Sequence, residues 1–440
     1  MYRLAELWLP PSDALFASVL YALNPYHLMI IYWRSAYAEL LCAALLPLLL
    51  LIVMRLNEPS LRPALWLSLL LAGAWLTNVP AAIMIHYSAA GLVLVVAARE
   101  NSLRPLRRLA LALLLGAGLA SLYLIPAIYE ERWVNIAEVL SPGVRPQDNF
   151  LFTMNQNPDH NRFNLLISLV ATSEIAALAV AIYLSRRKRS INKLWLPLAT
   201  WGAAAAFAML SFSDVLWEYL PKFRYVQLPF RWLLCLNIAL ALLLAMENLG
   251  SGFVAWMTRA AVWAGLIAVV LFGGQHTQPP WWNTSADIAD MQQSAADGSG
   301  NEGVDEYVPA GVDPYELNRS LPRLSDQTGT PLERAKILQW TATEKRFAVV
   351  AAHPGTLTVR LFNYPAWKTF VNGHEVATGT TEVTGLMMVP VAAGENDVLI
   401  RFTRTRDRTL GDAASFASVI LLAAAWIGTR RPLLSPGAGA

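Results

Sequence analysis

Apolar and polar residues follow one another in long blocks along this chain. Ten apolar stretches approach the roughly 20 residues that a helix needs to cross a bilayer core about 30 Å thick. They lie near residues 14–33, 38–54, 64–78, 80–97, 108–128, 164–185, 194–213, 229–247, 255–274 and 412–429. The pattern predicts an α-helical polytopic membrane protein with about ten transmembrane helices. Asn78 and Pro80 leave only a tight turn between the third and fourth stretches, so one kinked or re-entrant element is an alternative there.

Basic residues fall on every second connection between these stretches. They cluster at Arg55 and Arg62, from Arg99 through Arg108, from Arg186 to Arg189, and at Arg430-Arg431. Because Lys and Arg bias short loops to the cytoplasm, we expect both termini to be cytoplasmic. The loops 34–37, 129–163 and 214–228 and the block 275–411 then face the exterior.

The exterior block divides into two parts. Residues 275–336 are rich in Gly, Ser, Asp, Asn and Pro, which predicts a loosely structured lead-in after the membrane domain 1–274. From 337 to 411 short runs rich in β-branched and aromatic residues predict a small antiparallel β-sandwich, followed by a final span and cytoplasmic tail at 412–440. Asn372-Gly373 is typical of a two-residue hairpin turn.

Composition agrees with a membrane protein and narrows its chemistry. Hydrophobic residues make up 55% of the chain and charged residues 15%, and there are 16 Trp. The net charge of +3 is small and is concentrated in the inner loops, so no nucleic acid partner is expected. Cys42 and Cys235 each lie inside a predicted span, so we interpret them as packing residues and expect no disulfide in the exterior block.

The first candidate site lies between the first two spans, in YALNPYHLMIIYWRSAYAELL. Arg34 and Glu39 are ionisable residues close to membrane depth, where such residues are costly and are often functional. Arg34 has the planar fork that suits a phosphate, and Glu39 could act as a base or orient a substrate hydroxyl. A structural alternative stays open, in which Arg34 snorkels to the interface and pairs with Glu39.

The second candidate site is DVLWEYLPKFRYVQLPFRWLL, which enters the eighth span from the predicted exterior. Lys222, Arg224 and Arg231 place positive charge on the side that orientation alone would leave neutral, and Tyr225 and Gln227 add hydrogen-bonding groups. This predicts a pocket for a phosphorylated lipid. The alternative is an amphipathic interfacial helix whose aromatic residues anchor it and whose cations contact lipid phosphates.

The remaining polar residues indicate no further site. Glu130 and Glu131 open the loop 129–163, which also holds Asp148, Asp159 and His160, and solvated loop charge is the favoured interpretation over a metal site or base. His86 and Asn78 are expected to form hydrogen bonds between helices. The six histidines show no metal-ligand spacing, and Walker and GxSxG motifs are absent from the sequence. No cofactor is predicted, and a requirement for a divalent metal stays open.

Three runs carry a resemblance that covers nearly the whole chain. They are LYALNPYHLMIIYWRSAYAELLCAALLPLLL, YLPKFRYVQLPFRWL, and YPAWKTFVNGHEV followed by VPVAAGENDVLIRF. They resemble a family of bacterial multi-spanning membrane proteins labelled 6-pyruvoyl-tetrahydropterin synthase-related, which is similar to the YfhO-like group and to C-type glycosyltransferases. The pterin label implies no chemistry here, because a pterin synthase is a soluble zinc enzyme with clustered histidine ligands.

The resemblance implies transfer of a sugar from a polyprenyl-phosphate carrier to a glycan or protein acceptor at the outer face of the bacterial cytoplasmic (inner) membrane. The matching residues are Tyr26, Arg34, Glu39, Gln227, Pro229 and Arg231. In this interpretation Arg34, Arg224 and Arg231 contact the phosphate, Tyr26 and Gln227 line the substrate, and Glu39 is the candidate base. Such enzymes use an acidic residue in a first outer loop that lies upstream of the segment where this chain begins. Two alternatives stay open: with a genuine start at Met1 that acidic residue is absent and only Glu39 or the pair Glu130-Glu131 could replace it, whereas a fragment or a misplaced start would put it upstream. Whether the chain is itself an enzyme therefore stays open.

Two other functions compete with this one. A non-catalytic scaffold or assembly factor would use the exterior β-domain to bind glycan or a partner protein. A transporter is the third possibility, favoured only by the turn at Asn78-Val79-Pro80, since no clear internal repeat is visible.

Overall fold

The structure is a computed structural model that describes residues 1–188, 193–246, 253–277, 284–296, 305–313, 316 and 321–429. The predicted cytoplasmic tail after residue 429, Arg189 in the third basic cluster, and several parts of the predicted lead-in lie outside the described residues.

Helices account for most of the described chain. They are α1 (Tyr2–Ala5), α2 (Pro11–Ala22), α3 (Pro25–Met29), α4 (Tyr37–Met54), α5 (Arg62–Thr77), α6 (Val79–Arg99), α7 (Arg104–Leu119), α8 (Ser121–Glu130), α9 (Pro158–Ser185), α10 (Trp195–Ala208), α11 (Asp214–Tyr219), α12 (Leu233–Met246), α13 (Phe253–Thr277), α14 (Ser285–Ala296) and α15 (Arg406–Gly428). Short 3₁₀ turns lie at Glu131–Trp133, Ile136–Leu140, Pro146–Asp148, Arg186–Lys188, Ser211–Ser213, Phe223–Val226, Pro229–Trp232 and Asp305–Tyr307, and a π-helical turn at Ile30–Arg34.

Each of the ten predicted apolar stretches is helical. Within the described residues, six helices are long and apolar enough to cross a membrane: Pro11–Arg34, Tyr37–Met54, Val79–Arg99, Pro158–Ser185, Pro229–Met246 and Arg406–Gly428. Two bent pairs, Arg104–Leu119 with Ser121–Trp133 and Trp195–Ala208 with Ser211–Tyr219, raise the number to eight if each pair is one span. The chain is therefore compatible with a membrane-embedded protein, and the number ten stays a prediction.

The contacts divide the chain into two units. The first unit contains Met1–Leu124, Val139–Trp281 and Ala413–Ala440. At its centre α12 packs against α2, α4, α9 and α10. Of the apolar segment Pro229–Met246, which contains α12, 89% is buried inside the protein. Both cysteines are buried and free, as the sequence predicts.

The turn between α5 and α6 is formed by Asn78 alone. Its side chain accepts a hydrogen bond from the N–H of Ala81 at 3.0 Å and so caps α6, because the first N–H groups of a helix have no partner within the helix. His86 on α6 accepts a hydrogen bond from the indole N–H of Trp75 on α5 at 3.1 Å. The interhelical bond predicted for His86 is confirmed, whereas Asn78 caps a helix.

The second unit contains Ile125–Glu138 and Trp282–Asp412. Its strands are β1 (Leu324–Ser325), β2 (Ala335–Trp340), β3 (Glu344–Ala351), β4 (Gly355–Phe362), β5 (Trp367–Val371), β6 (His374–Val376), β7 (Gly379–Thr380), β8 (Leu386–Val391) and β9 (Gly394–Phe402). All pairings are antiparallel, in sheets ordered β1-β4-β8-β7 and β2-β3-β9-β5-β6. Strands of both sheets contribute to one buried apolar cluster that includes Phe347, Val359, Met387 and Val398.

The predictions made from the sequence for this unit are confirmed in part. Asn372 and Gly373 both have positive φ, at 51° and 82°, and join β5 to β6 with Val371 opposite His374, which confirms the hairpin. The strands begin at Leu324 rather than 337, and the predicted loose lead-in contains α14. The last helix begins at Arg406, six residues before the predicted boundary.

Candidate functional site

A break between the first two candidate spans brings Arg34 and Glu39 together. Asn24 caps α3 by accepting a hydrogen bond from the N–H of His27 at 2.9 Å, and Pro25 occupies the first helical position. The helix then widens into the π-helical turn Ile30–Arg34 and ends at Ser35, whose φ of 48° is left-handed. Isolated π turns occur frequently at functional sites. The prediction that both residues lie near a helix break is confirmed.

The carboxylate of Glu39 is the centre of a buried cluster. Tyr26 donates its hydroxyl to Oε1 of Glu39 at 2.7 Å, and Nη1 of Arg34 lies 3.2 Å from Oε1 and 3.0 Å from Oε2. Nε of Arg231 lies 3.3 Å from Oε2, within ion-pair distance but without hydrogen-bond geometry. We call Tyr26, Arg34, Glu39 and Arg231 the Glu39 cluster. Two guanidinium groups and one carboxylate give it a net charge of +1.

Burial strengthens the electrostatic interactions among the charged groups of the cluster. The side chain of Glu39 is 1% exposed, and those of Arg34 and Arg231 are 13% and 12% exposed. Phe230 packs edge-on against the ring of Tyr26, with the ring centroids 6.3 Å apart, and its own ring lies 5.4 Å from the guanidinium of Arg34. Water therefore screens the cluster only weakly, while each arginine keeps a narrow open edge.

A strained turn positions Arg231. Gln227 has φ 65° and ψ −60°, and the N–H of Leu228 donates across it to the carbonyl of Val226 at 2.8 Å, which defines a γ-turn of the rare positive-φ kind. The same carbonyl accepts from Nη1 of Arg231 at 2.6 Å, and Oε1 of Gln227 accepts from it at 3.2 Å. Such strain persists only where the surroundings hold it, and it is concentrated at functional sites.

Gln227 also ties this turn to a distant loop. Its Nε2 donates to the carbonyl of Val139 at 2.9 Å, across 88 residues of sequence. Of the residues predicted for the site, the structure thus brings together Tyr26, Arg34, Glu39, Gln227 and Arg231. The contact with Val139 has no signal in the sequence.

Arg224 lies elsewhere. Its side chain is exposed, and its guanidinium stands 5.6 Å from the ring of Tyr225, on which Nζ of Lys222 also lies at 4.8 Å. Neither cation has a described contact with Glu39. The described contacts therefore do not bring Arg224 into the Glu39 cluster, and its role as a phosphate ligand beside Arg34 and Arg231 stays a prediction.

The acidic residues of the loop 129–163 have structural partners. Glu130 accepts two hydrogen bonds from Arg408, from Nε at 2.8 Å and from Nη2 at 2.9 Å. Burial opposes ionisation of Asp148, but the N–H of Gly143 and the guanidinium of Arg145 outweigh it and hold the pKa of Asp148 below its ordinary value. In the part of the chain that the structure describes, no group of three or more His, Cys, Asp or Glu residues could hold a metal ion.

An apolar groove of about 280 Å³ is lined in part by Trp232, the residue that follows Arg231 of the Glu39 cluster. It runs between α6 and α10 and is lined by apolar residues together with Tyr87, Ser88, Thr200 and Trp201. Phe223 and Trp232 stack at 5.5 Å along its lining, and Trp232 directly follows Arg231. Its lining is mostly apolar and comes in part from the candidate spans Val79–Arg99 and Pro229–Met246.

Comparison of the chain with known proteins yields no matching family model, no matching curated protein and no matching solved structure. The resemblance to bacterial multi-spanning membrane proteins therefore stays a prediction from the three quoted runs.

Proposed function

We propose that this chain is a glycosyltransferase-like membrane protein that binds a polyprenyl-phosphate-linked sugar, with Arg34 and Arg231 as the phosphate ligands. The observation that carries the proposal is the Glu39 cluster, a buried group with a net charge of +1 at the end of candidate spans. A buried excess charge is costly unless it is paired. A phosphate supplies the missing negative charge and accepts the donor groups of a guanidinium fork.

The proposal gives each member of the cluster a separate role. Both oxygens of Glu39 already accept hydrogen bonds or face a guanidinium, so we assign Glu39 to positioning the two arginines. Its role as the catalytic base stays a prediction. Tyr26 and Gln227 hold Glu39 and Arg231 in place and line the bound substrate. The groove between α6 and α10 is where the hydrocarbon chain of the carrier would lie.

The finer topology belongs to the same proposal. We propose ten spans with both termini in the cytoplasm of a bacterial cell, and an exterior β-sandwich formed by the two sheets. The positive charge of the loops supports this orientation, and the shared apolar cluster of the two sheets supports the sandwich.

Lipid binding by the purified protein in nanodiscs tests the proposal. Titration with a polyprenyl phosphate and with the matching polyprenol, followed by native mass spectrometry, compares wild type with Arg34→Gln, Arg231→Gln and Arg224→Gln. Hydrogen bonds to charged groups contribute about 1.5–3 kcal/mol, so each cluster variant should bind the phosphate at least about tenfold more weakly. Arg224→Gln is the matched control, since it removes a cation outside the cluster, and it should bind as wild type does.

Two results would contradict the proposal. Equal binding of polyprenol and polyprenyl phosphate would show that no phosphate site exists. Equal loss in all three variants would show that only overall charge matters. If binding behaves as expected, transfer of sugar to membrane acceptors by wild type and by Arg34→Gln decides whether the chain is catalytic.

A second function rests on a different property of the cluster. Because Glu39 is bound entirely by groups of this chain, the cluster can equally act as a fixed element of the fold, and the protein can act as a scaffold whose β-domain binds glycan or a partner protein. Deleting residues 337–405 should then remove the phenotype of the gene, while substitution of Arg34 or Glu39 with retained folding should leave it unchanged.

A further inference from the structure

A second carboxyl group lies inside the first of the two units, which we call the helical unit, and is far from the Glu39 cluster in sequence. Glu174 is in α9, more than two turns from either end, and its side chain is fully buried. It faces Asn237 of α12, which is also fully buried. No role in the proposed function uses either residue, and an ionisable residue at this depth is a functional candidate by default.

The contacts of this pair are incomplete in a specific way. Nδ2 of Asn237 donates to Oε2 of Glu174 at 2.8 Å and to the carbonyl of Leu233 at 3.0 Å. Oε1 of Glu174 and Oδ1 of Asn237 are both buried and have no hydrogen-bond partner. Two acceptors on adjoining groups thus lack a donor, in a bundle where buried polar atoms are normally paired.

No described cation compensates Glu174. The described ion pairs of the helical unit do not include it, and by sequence α10 and α12 contain no Lys, Arg, Asp or Glu. Of the described titratable side chains on the elements packed against α9, Arg231 is paired with Glu39, and the thiol of Cys235 contacts Ser88 at 3.4 Å. Arg186 and Arg187 are exposed at the C-terminal end of α9, and the side chains of Arg259 and His276 on α13 lie outside the described residues. An ionised Glu174 would therefore be a buried charge with a single amide donor, which is strongly unfavourable.

We infer that Glu174 and Asn237 form a proton-binding site inside the helical unit. A proton on Oε1 converts that atom from an acceptor without a donor into a donor, and Oδ1 of Asn237 is the open acceptor beside it. The acid and the amide then share two hydrogen bonds, and both orphaned atoms are satisfied by one proton with no change of oxidation state. Two oxygens are too few for a metal cation, since hard cations take about six or more oxygen ligands.

This site differs from the Glu39 cluster in its charge. Glu39 is surrounded by two guanidinium groups, whereas Glu174 faces only the neutral amide of Asn237. Asn237 follows Arg231 by six residues, roughly 9 Å along a helix, so the proton site lies less than two helical turns from the proposed phosphate ligand.

Infrared spectroscopy of the purified full chain in lipid nanodiscs at neutral pH tests the inference. Difference spectra between protein with ¹³C-labelled and unlabelled glutamate isolate the carbonyl stretch of any protonated glutamic acid. Wild type should show this band, Glu174→Gln should lose it, and Glu6→Gln, a control at an acidic residue whose partner Arg3 is 91% exposed, should keep it. Asn237→Leu should move the band to higher frequency, because the acid loses its hydrogen bonds.

The opposite results overturn the inference. A wild-type spectrum with carboxylate bands alone, or a protonated band whose intensity is unchanged in Glu174→Gln, would show that Glu174 is ionised. If Glu174→Gln is not recovered folded, the response to Asn237→Leu decides: a shifted band supports the site, and an unchanged band contradicts it. Because no variant in this set touches the phosphate ligands, failure here leaves the proposed function standing.

Discussion

Among the residues that the structure describes, Glu39 carries the only carboxylate paired with Arg34 and Arg231, and its replacement by Gln removes that charge. Gln keeps the acceptor for Tyr26 and nearly the same shape, so the change is confined to charge, and the cluster goes from +1 to +2. Loss of one partner from a buried ion pair costs about 3–5 kcal/mol, because the remaining charge stays buried. The folded-to-unfolded ratio should therefore fall by about a hundredfold to several thousandfold.

Equilibrium unfolding of the protein in mixed micelles, followed by circular dichroism against the mole fraction of denaturing detergent, measures this cost. Glu6→Gln is the matched control, since Glu6 pairs with an Arg3 side chain that is 91% exposed, and it should change the free energy of unfolding by less than about 1 kcal/mol. The double variant Arg34→Gln/Glu39→Gln restores the original net charge and should recover at least about 0.5 kcal/mol of the loss. A cost for Glu39→Gln as small as that for Glu6→Gln would refute the view that the cluster is poorly solvated.

Three further outcomes are expected. Gly118→Leu should destabilise the helical unit by about 1–3 kcal/mol in the same unfolding assay, because a Cβ at Gly118 would meet the hydroxyl of Ser418 on α15. Phe347→Ala should destabilise the β-domain by about 3–5 kcal/mol, since Phe347 is fully buried, whereas the control Val350→Ala, at a residue 41% exposed, should cost far less; urea unfolding of the full chain compares them. Because the pKa of Asp148 is depressed in the folded protein, its stabilising effect is complete above the ordinary value of about 3.9 and is lost as the pH falls through the lower folded value; hydrogen exchange in residues 141–149 should show this loss, and Asp148→Asn should abolish it.

The sequence predicted the helical architecture well because its signals are local. A run of about 20 apolar residues needs no tertiary contact to become a helix in a bilayer, since its backbone groups pair within the run. The Asn372-Gly373 hairpin was predictable for the same reason, because a two-residue turn with positive φ restricts the residue types at both positions. Arg34 and Glu39 were found as charges near the end of apolar runs.

The arrangement of the site was only partly predictable. Its assembly depends on the γ-turn at Gln227 and on the bond from Gln227 to Val139, and both arise from packing rather than from residue type. Arg224 shows that closeness in sequence does not ensure closeness in the fold. It is three residues from Gln227 in a basic segment, yet its side chain is exposed.

Glu174 was missed although it carried a usable signal. It is the only charged residue between Arg162 and Arg186, in the middle of a long apolar helix. A single acid in such a run is expensive in any bilayer, and its position could have been weighed as Arg34 was. Its partner could not have been named, because 63 residues separate it from Asn237.

The burial of α12 determines which substitutions this helix can accept. A helix that is surrounded by protein on nearly all sides has little surface left for contact with lipid. It can carry a polar side chain such as Asn237 where a neighbouring residue supplies a hydrogen-bond partner, but it has no room for a larger side chain. Of the apolar segment of α15, only 17% is enclosed by protein. In a bilayer, lipid would therefore absorb changes of side-chain size there but would not absorb changes of polarity. We therefore expect variation among descendants of this sequence to conserve volume along α12 and apolarity along the exposed face of α15.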